Sequence, residues 1–204
     1  MKVILPKVLA RRILLWTQVG LLACAVLMLG YCGLVLLDTW AFQKGEQRRF
    51  DRQLVERIAS PAPPKALPPA AEGGLIGRIE IARLGVSVMV IEGTGSKTLR
   101  RAAGHIVGTG LPGRPGNIGI SAHRDTFFRP LRNIRENDII TLTTLLGEYR
   151  YRVISTGIVS PSDVEVLDPG DSEILTLVTC YPFYFVGSAP DRFIVRAERV
   201  GRPS

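Results

Sequence analysis

The chain has 204 residues, 46% of them hydrophobic, with 26 Lys and Arg against 18 Asp and Glu for a formal net charge of +8. That length allows one ordinary domain plus extra segments. Most of the basic excess precedes residue 66; from Gly73 to Ser204 sixteen basic residues face thirteen acidic ones. No basic patch with interleaved aromatics stands in that region, which argues against a nucleic-acid partner. Three cysteines are present, but Cys24 and Cys32 lie inside an apolar N-terminal stretch. Cys180 is therefore left with nothing to pair with in an internal disulfide, and no Cys/His cluster has the spacing of a zinc site.

Residues 1–12 are basic, with Lys2, Lys7, Arg11 and Arg12 and no acid. Ile13 to Leu37 then carries no charge. As a helix it would be about 37 Å long, enough to cross a bilayer with some tilt. It is longer than the apolar region of a cleavable signal peptide, and Ala41 is a poor cleavage site, so an uncleaved anchor is expected. Trp16 and Trp40 suit the two membrane interfaces. Basic residues follow the span as well: Lys44, Arg48, Arg49, Arg52 and Arg57. Arg11 and Arg12 abut it, however, whereas Asp38, Trp40 and Phe42 come first on the other side. The expected topology is a cytoplasmic N-terminus and an exported remainder.

Residues 38–72 read as a helical neck and a spacer. Phe50, Leu54 and Ile58 are four apart with charges between them, a pattern that predicts a solvated surface helix. Ser60 to Pro69 holds five prolines, a semi-extended linker. From residue 73 the pattern changes to short runs of period two. Strands are expected at Ile79–Ile81, Val86–Ile91, Asn117–Ala122, Ile139–Thr144, Tyr149–Ser155, Gly157–Ser160, Glu173–Cys180 and Arg192–Val200, with one helical turn at Ser96–Ala102. Short strands at this spacing with few helices indicate a mainly β domain over 73–204, a sandwich or a barrel.

The run Leu175-Thr-Leu-Val-Thr-Cys-Tyr-Pro-Phe183 is the most informative stretch. Thr176, Val178 and Cys180 share one strand face. Pro182 cannot donate to a ladder, so pairing should stop beside the cysteine and leave its sulfur at a strand mouth. Taken alone, such a cysteine reads first as a small buried hydrophobe. His123 follows the strand Ile118-Gly-Ile-Ser-Ala122, and Arg192 opens the last strand. If these three strands share a sheet, their ends converge. Cys supplies a thiolate nucleophile, His a proton donor and acceptor, and Arg a permanent cation for a developing oxyanion or for substrate carbonyls.

Leu175–Phe183, the upstream Ser121-Ala-His-Arg-Asp-Thr126 and Arg192-Phe-Ile-Val195 resemble the sortases, membrane-anchored cysteine transpeptidases. The Tyr-Pro-Phe extension and the His-Arg-Asp-Thr context are most like class D. The resemblance implies an eight-stranded β-barrel behind an N-terminal transmembrane helix. It gives His123, Cys180 and Arg192 the catalytic roles and Thr179 a part in shaping the oxyanion site. The implied partners are an exported protein with a C-terminal Leu-Pro-x-Thr-like sorting signal, and an amine acceptor on a cell-wall precursor or a protein. No cofactor is implied. The acidic cluster of calcium-stimulated members is not evident, so no metal is expected.

Other residues read more plainly. His105 is structural or lines the groove, and Asp125 either orients His123 or bonds nearby backbone amides. Tyr181, Phe183, Tyr184 and Phe185 offer aromatic surface for a groove wall or for loop packing. Two rival functions remain, a Cys/His hydrolase of cell-wall peptides and a non-enzymatic exported β-barrel binding module. Papain-like hydrolases place Cys before His, the reverse of this chain. An L,D-transpeptidase would want Ser-His-Gly-Cys, and a phosphatase loop an arginine where Val186 stands. A binding module has no use for an unpaired strand-end cysteine.

Overall fold

The computed structural model describes residues 7–59, 71–184 and 187–201. The expected Pro-rich spacer, and Phe185 and Val186, lie outside the described residues. A long helix α1, Lys7–Ala59, opens the chain. One compact unit ends at Ala41 and a second begins at Phe42.

In the first unit the apolar side chains of α1 have no core to enter: Leu14, Trp16, Leu21, Leu27 and Leu37 are all more than 60% exposed. A window of this helix reaches a mean hydropathy of 2.4, which makes it a candidate membrane span. Uncharged length and outward apolar side chains suit a hydrocarbon environment.

In the second unit the stretch expected to be a solvated neck is helical, yet it packs. Phe50 is fully buried, with the Arg78 guanidinium 5.9 Å from its ring centroid. Gln43 donates through Nε2 to the Arg101 carbonyl (2.5 Å) and accepts the Met89 N–H through Oε1 (3.1 Å). Arg57 donates to the Leu145 carbonyl at 2.6 Å. Ile58, the third residue of the predicted stripe, remains 75% exposed. The seat on the barrel therefore depends on Phe50 and on polar side chains that a periodicity argument does not weigh.

The barrel strands are β1 Leu75–Ile81, β2 Val86–Glu92, β3 Ala103–His105, β4 Gly116–Ser121, β5 Ile139–Thr144, β6 Gly147–Val159, β7 Glu173–Tyr181 and β8 Asp191–Arg199. They close in the order β1-β2-β3-β4-β7-β8-β6-β5. One short helix, α2 at Ser96–Arg101, stands between β2 and β3. Two predicted strands, Tyr149–Ser155 and Gly157–Ser160, are a single β6. Its register shifts between Val153 and Ser155, so a bulge reads in sequence as a break. β3 was not anticipated. Three residues, one a glycine, give no period to detect.

Inward residues fill the barrel with β-branched and leucine side chains, among them Ile79, Ile118, Ile120, Leu142, Leu175, Leu177 and Val195. The pairings that position the site are β4 with β7, parallel, and β7 with β8, antiparallel. Parallel neighbours need a long crossover, and here β5, β6 and the turn at Val164–Leu167 supply it. Asn117 secures that turn by donating to the Val166 carbonyl (2.9 Å) while its Oδ1 accepts from the buried Thr176 hydroxyl (2.6 Å).

The docked neck gives the first prediction. Phe50→Ala should lower the unfolding free energy of the full chain by about 3–5 kcal/mol, as for other buried aromatics. Chemical denaturation followed by tryptophan-independent circular dichroism of the β signal measures it; an unchanged midpoint would mean the neck is free in solution.

Candidate active site

β7 alternates toward its end, beyond Thr176, which is buried although it shares the outward face. Leu175, Leu177 and Thr179 point into the barrel and are buried, whereas Val178 and Cys180 face outward and are half-buried. β7 ends at Tyr181, before Pro182, as the missing proline N–H requires. On the β4 side, Gly119 pairs with Thr176 and Ser121 with Val178. Carrying that parallel register two residues further sets His123 beside Cys180 on the outer face. On the other side Cys180 is the direct partner of Arg192; such pairs hold their Cβ atoms about 4.5–5.5 Å apart. Three neighbouring strands thus bring His123, Cys180 and Arg192 into one row.

The row is fixed from behind. The Ala122 N–H donates to the Val178 carbonyl (3.2 Å), and the Thr179 hydroxyl donates to the Ala122 carbonyl (2.8 Å). Thr179 is 1% exposed, so its hydroxyl proton is spent on the residue just ahead of His123. After His123 the chain turns back, the Phe128 N–H reaching the His123 carbonyl at 3.1 Å while the Phe128 ring is fully buried. Arg124 spans the gap to the β7–β8 loop, donating to the Pro182 and Gly187 carbonyls at 3.0 Å each. Arg192 Nη1 donates to the carbonyls of Asp191 (2.9 Å) and Ala189 (3.4 Å).

Two hollows meet at this row. One, about 290 Å³, is walled by Leu99, Ile106 and Val178 with Thr94, Ser121, Ala122 and Thr179. The other, about 390 Å³, is walled by Arg124, Asp125 and the loop residues Gly187, Ser188 and Ala189. His123, Cys180 and Arg192 line both. Leu99, Ile106, Val178 and Ala122 make the first the more apolar of the two; the second is the more polar. Among the described residues no group of three or more His, Cys, Asp or Glu could hold a metal ion.

Some expectations are placed differently. Tyr181 and Phe183 line neither hollow. They pack with Phe193, at ring-centroid distances of 6.4 and 5.3 Å, and with each other at 6.1 Å. The aromatic run is loop packing in these members, and Tyr184 is 76% exposed beneath an Arg132 guanidinium 5.4 Å from its ring centroid. His105 is 2% exposed and lies in β3, outside both linings. Leu99, Ile106 and Arg124 were not singled out from sequence. Leu99 and Ile106 enter through α2 and the short β3, and Arg124 through backbone carbonyls that no motif records.

A family model described as the sortase domain matches residues 79–200. The chain belongs to the sortase family. Members of this family are cysteine transpeptidases, and family membership implies a sorting-signal substrate and an amine acceptor. This sortase is 31% identical to Sortase D of Bacillus subtilis (strain 168) over 191 residues, covering 88% of this chain and 96% of that protein. Among solved structures it is similar to a Clostridium perfringens Sortase D5 transpeptidase, with a TM-score of 0.63, 27% identity, and 79% and 97% of the two chains covered. It is also similar to Sortase A from Corynebacterium diphtheriae, with a TM-score of 0.60, 31% identity, and 65% and 64% covered. The closed eight-stranded barrel is the sortase fold, as expected.

Thr179→Val tests the support behind the row. It leaves the Ala122 carbonyl buried without its donor, which should cost about 1–3 kcal/mol of stability by urea titration. Thr179→Ser, which keeps the hydroxyl, should lose less; equal losses for the two would contradict a role for this hydrogen bond.

Proposed function

We propose that this sortase is a membrane-anchored transpeptidase that cleaves a sorting-signal peptide through a thioacyl-enzyme at Cys180 and passes the acyl group to an amine. The observation that supports it most is that His123, Cys180 and Arg192 line both hollows at once. A transfer enzyme needs one face for the acyl donor and another for the acceptor, with the reacting groups between them.

In this reading the apolar hollow of Leu99, Ile106 and Val178 takes the Leu-Pro part of a Leu-Pro-x-Thr-like signal. The Cys180 thiolate attacks the scissile carbonyl carbon and the carbonyl electrons move onto oxygen. Arg192, a permanent cation, stabilises that oxyanion. Its two backbone carbonyl partners orient the guanidinium without neutralising it. As the oxyanion collapses, the C–N bond breaks and His123 gives its proton to the departing amine. A thioester remains on Cys180. The incoming amine enters from the polar hollow and attacks the thioester; neutral His123 takes its proton, and Cys180 leaves as thiolate. Thr179 acts from behind, fixing Ala122 and through it His123.

The apolar half of α1, residues 13–37, serves as the anchor, with residues 1–12 cytoplasmic and the barrel outside. The spacer at 60–69 and the neck belong between them along the chain, and 73–204 carries the catalytic machinery. Tethering the barrel to the bilayer keeps it within reach of membrane-bound donors and acceptors, which raises their effective concentration. The acceptor is an amine of a cell-wall precursor or of another protein. Holding it against the acyl carbon supplies a large effective molarity, up to about 10⁵–10⁸ M in well-oriented systems, and this is what lets an amine outcompete water.

Cys180→Ala should abolish acyl capture with the fold intact. His123→Ala should lower turnover roughly 10²–10⁴-fold and Arg192→Ala by about 10²–10³-fold. With a Leu-Pro-x-Thr peptide, product analysis by mass spectrometry should shift from slow hydrolysis to amide as a glycine peptide is titrated in. Hydrolysis alone at every concentration of several candidate amines would contradict the transferase reading and favour a cell-wall peptidase.

A further inference from the structure

Behind one wall of the apolar hollow lies a buried polar cluster with no part in the chemistry above. β2 and β3 run parallel, and their register sets Glu92 opposite His105. Both side chains are buried, at 8% and 2% exposure. His105 Nδ1 lies 2.9 Å from Glu92 Oε2. Its Nε2 lies 2.9 Å from the Gly110 carbonyl and 3.1 Å from the Thr109 hydroxyl. That hydroxyl donates to the Ile106 carbonyl at 2.7 Å and accepts the Gly119 N–H at 3.0 Å.

Counting donors places the hydrogens. The Gly110 carbonyl only accepts, so Nε2 carries a hydrogen. The single Thr109 hydrogen goes to Ile106, so toward Nε2 that oxygen accepts as well. On the other side one hydrogen lies between Nδ1 and the Glu92 carboxyl group. His105 is therefore a two-armed brace between the end of β2 and the turn at residues 106–110, with both ring nitrogens in use. A buried polar network that is fully satisfied stiffens the backbone it joins.

The backbone it joins is the wall of the hollow. Ile106 follows His105 directly, Thr94 stands two residues after Glu92, and both line the hollow. There is little slack for them to shift. The Gly93 N–H is bonded to the His105 carbonyl at 2.9 Å. A Cβ at Gly104 would lie 2.4 Å from the Gly93 carbonyl oxygen, and one at Gly119 would lie 3.1 Å from Ile106 Cδ1.

We propose that Glu92 and His105 are positioning residues for the acyl-donor peptide: their buried brace holds Ile106 and Thr94 in the shape that receives the apolar part of the signal. They set the KM for that peptide and leave the reacting atoms alone. The proposal rests on the reading of the apolar hollow as the donor site.

The test uses the full chain in detergent with a fluorogenic Leu-Pro-x-Thr peptide and a glycine peptide as amine, comparing wild type with His105→Ala, His105→Gln and Thr109→Val, and with Cys180→Ala in the same series. His105→Ala should raise the donor KM about tenfold or more while kcat at saturating donor stays within about threefold and the amine KM does not move. His105→Gln, which keeps an N–H for the Gly110 carbonyl, should recover part of the loss. Thr109→Val removes one arm at nearly constant shape and should raise the donor KM to a lesser degree; it decides the matter if His105→Ala does not fold. A folded variant set with unchanged donor KM, a fall in kcat alone, or an equal rise in the amine KM would each overturn the proposal. Transfer activity surviving in Cys180→Ala would overturn the functional reading itself, and the proposal with it.

Discussion

Parallel pairing of β4 with β7, closed on the far edge by antiparallel β8, is the constraint from which the site follows. Two residues set the alignment in practice. Ala122 is bonded through its N–H to β7 and through its carbonyl to the Thr179 hydroxyl, so the chain leaves β4 in one direction only. A one-residue slip would turn every side chain to the other face. It would bury Cys180 in the barrel and send His123 away from it. The inward leucines and isoleucines of β4 and β7 prevent that slip, since the alternative exposes them to water. The hydrophobic pattern of the core and the alignment of the row are the same fact seen from two faces.

Around that seam the loops are held mostly by side chains bonded to backbone carbonyls. Arg124 joins the His123 turn to the β7–β8 loop, Arg192 caps its own loop, and Asn117 ties down the turn at 164–167. Each is a polar group that would be costly to bury unpaired. Of these, Arg124 lines the polar hollow and Arg192 lines both hollows. This division of labour suits a transfer enzyme, whose core must be rigid while the loops differ with donor and acceptor. The seam holds the row of His123, Cys180 and Arg192; the loop bonds hold the chain around it.

Much of this was legible in the sequence, and for a physical reason. Period-two alternation with a proline after the cysteine located β7 and its end, and β4 and β8 announced themselves in the same way. The row His123, Cys180, Arg192 then needed only the assumption that three strands share a sheet. What escaped notice was carried by interactions that leave no period. β3 is three residues long. The β6 bulge looked like a gap. Phe50 read as part of a solvated stripe, because periodicity cannot tell which face of a helix has a barrel to lean on. The loop aromatics suited a groove wall and loop packing alike, and Tyr181 and Phe183 pack on Phe193. His105 looked unremarkable between Gly104 and Ile106, and only the pairing of β2 with β3 reveals Glu92 as its partner.

The central claim is that the acyl group rests on Cys180, at the boundary between the two hollows. It is tested most directly by quenching the full chain in acid during turnover of a Leu-Pro-x-Thr peptide without amine, then mapping the adduct by peptide mass spectrometry. The account predicts one acyl increment, carried by the peptide that contains Cys180 and discharged when amine is added before the quench. An increment on any other residue, or turnover with no adduct on Cys180 at any time sampled, would contradict it.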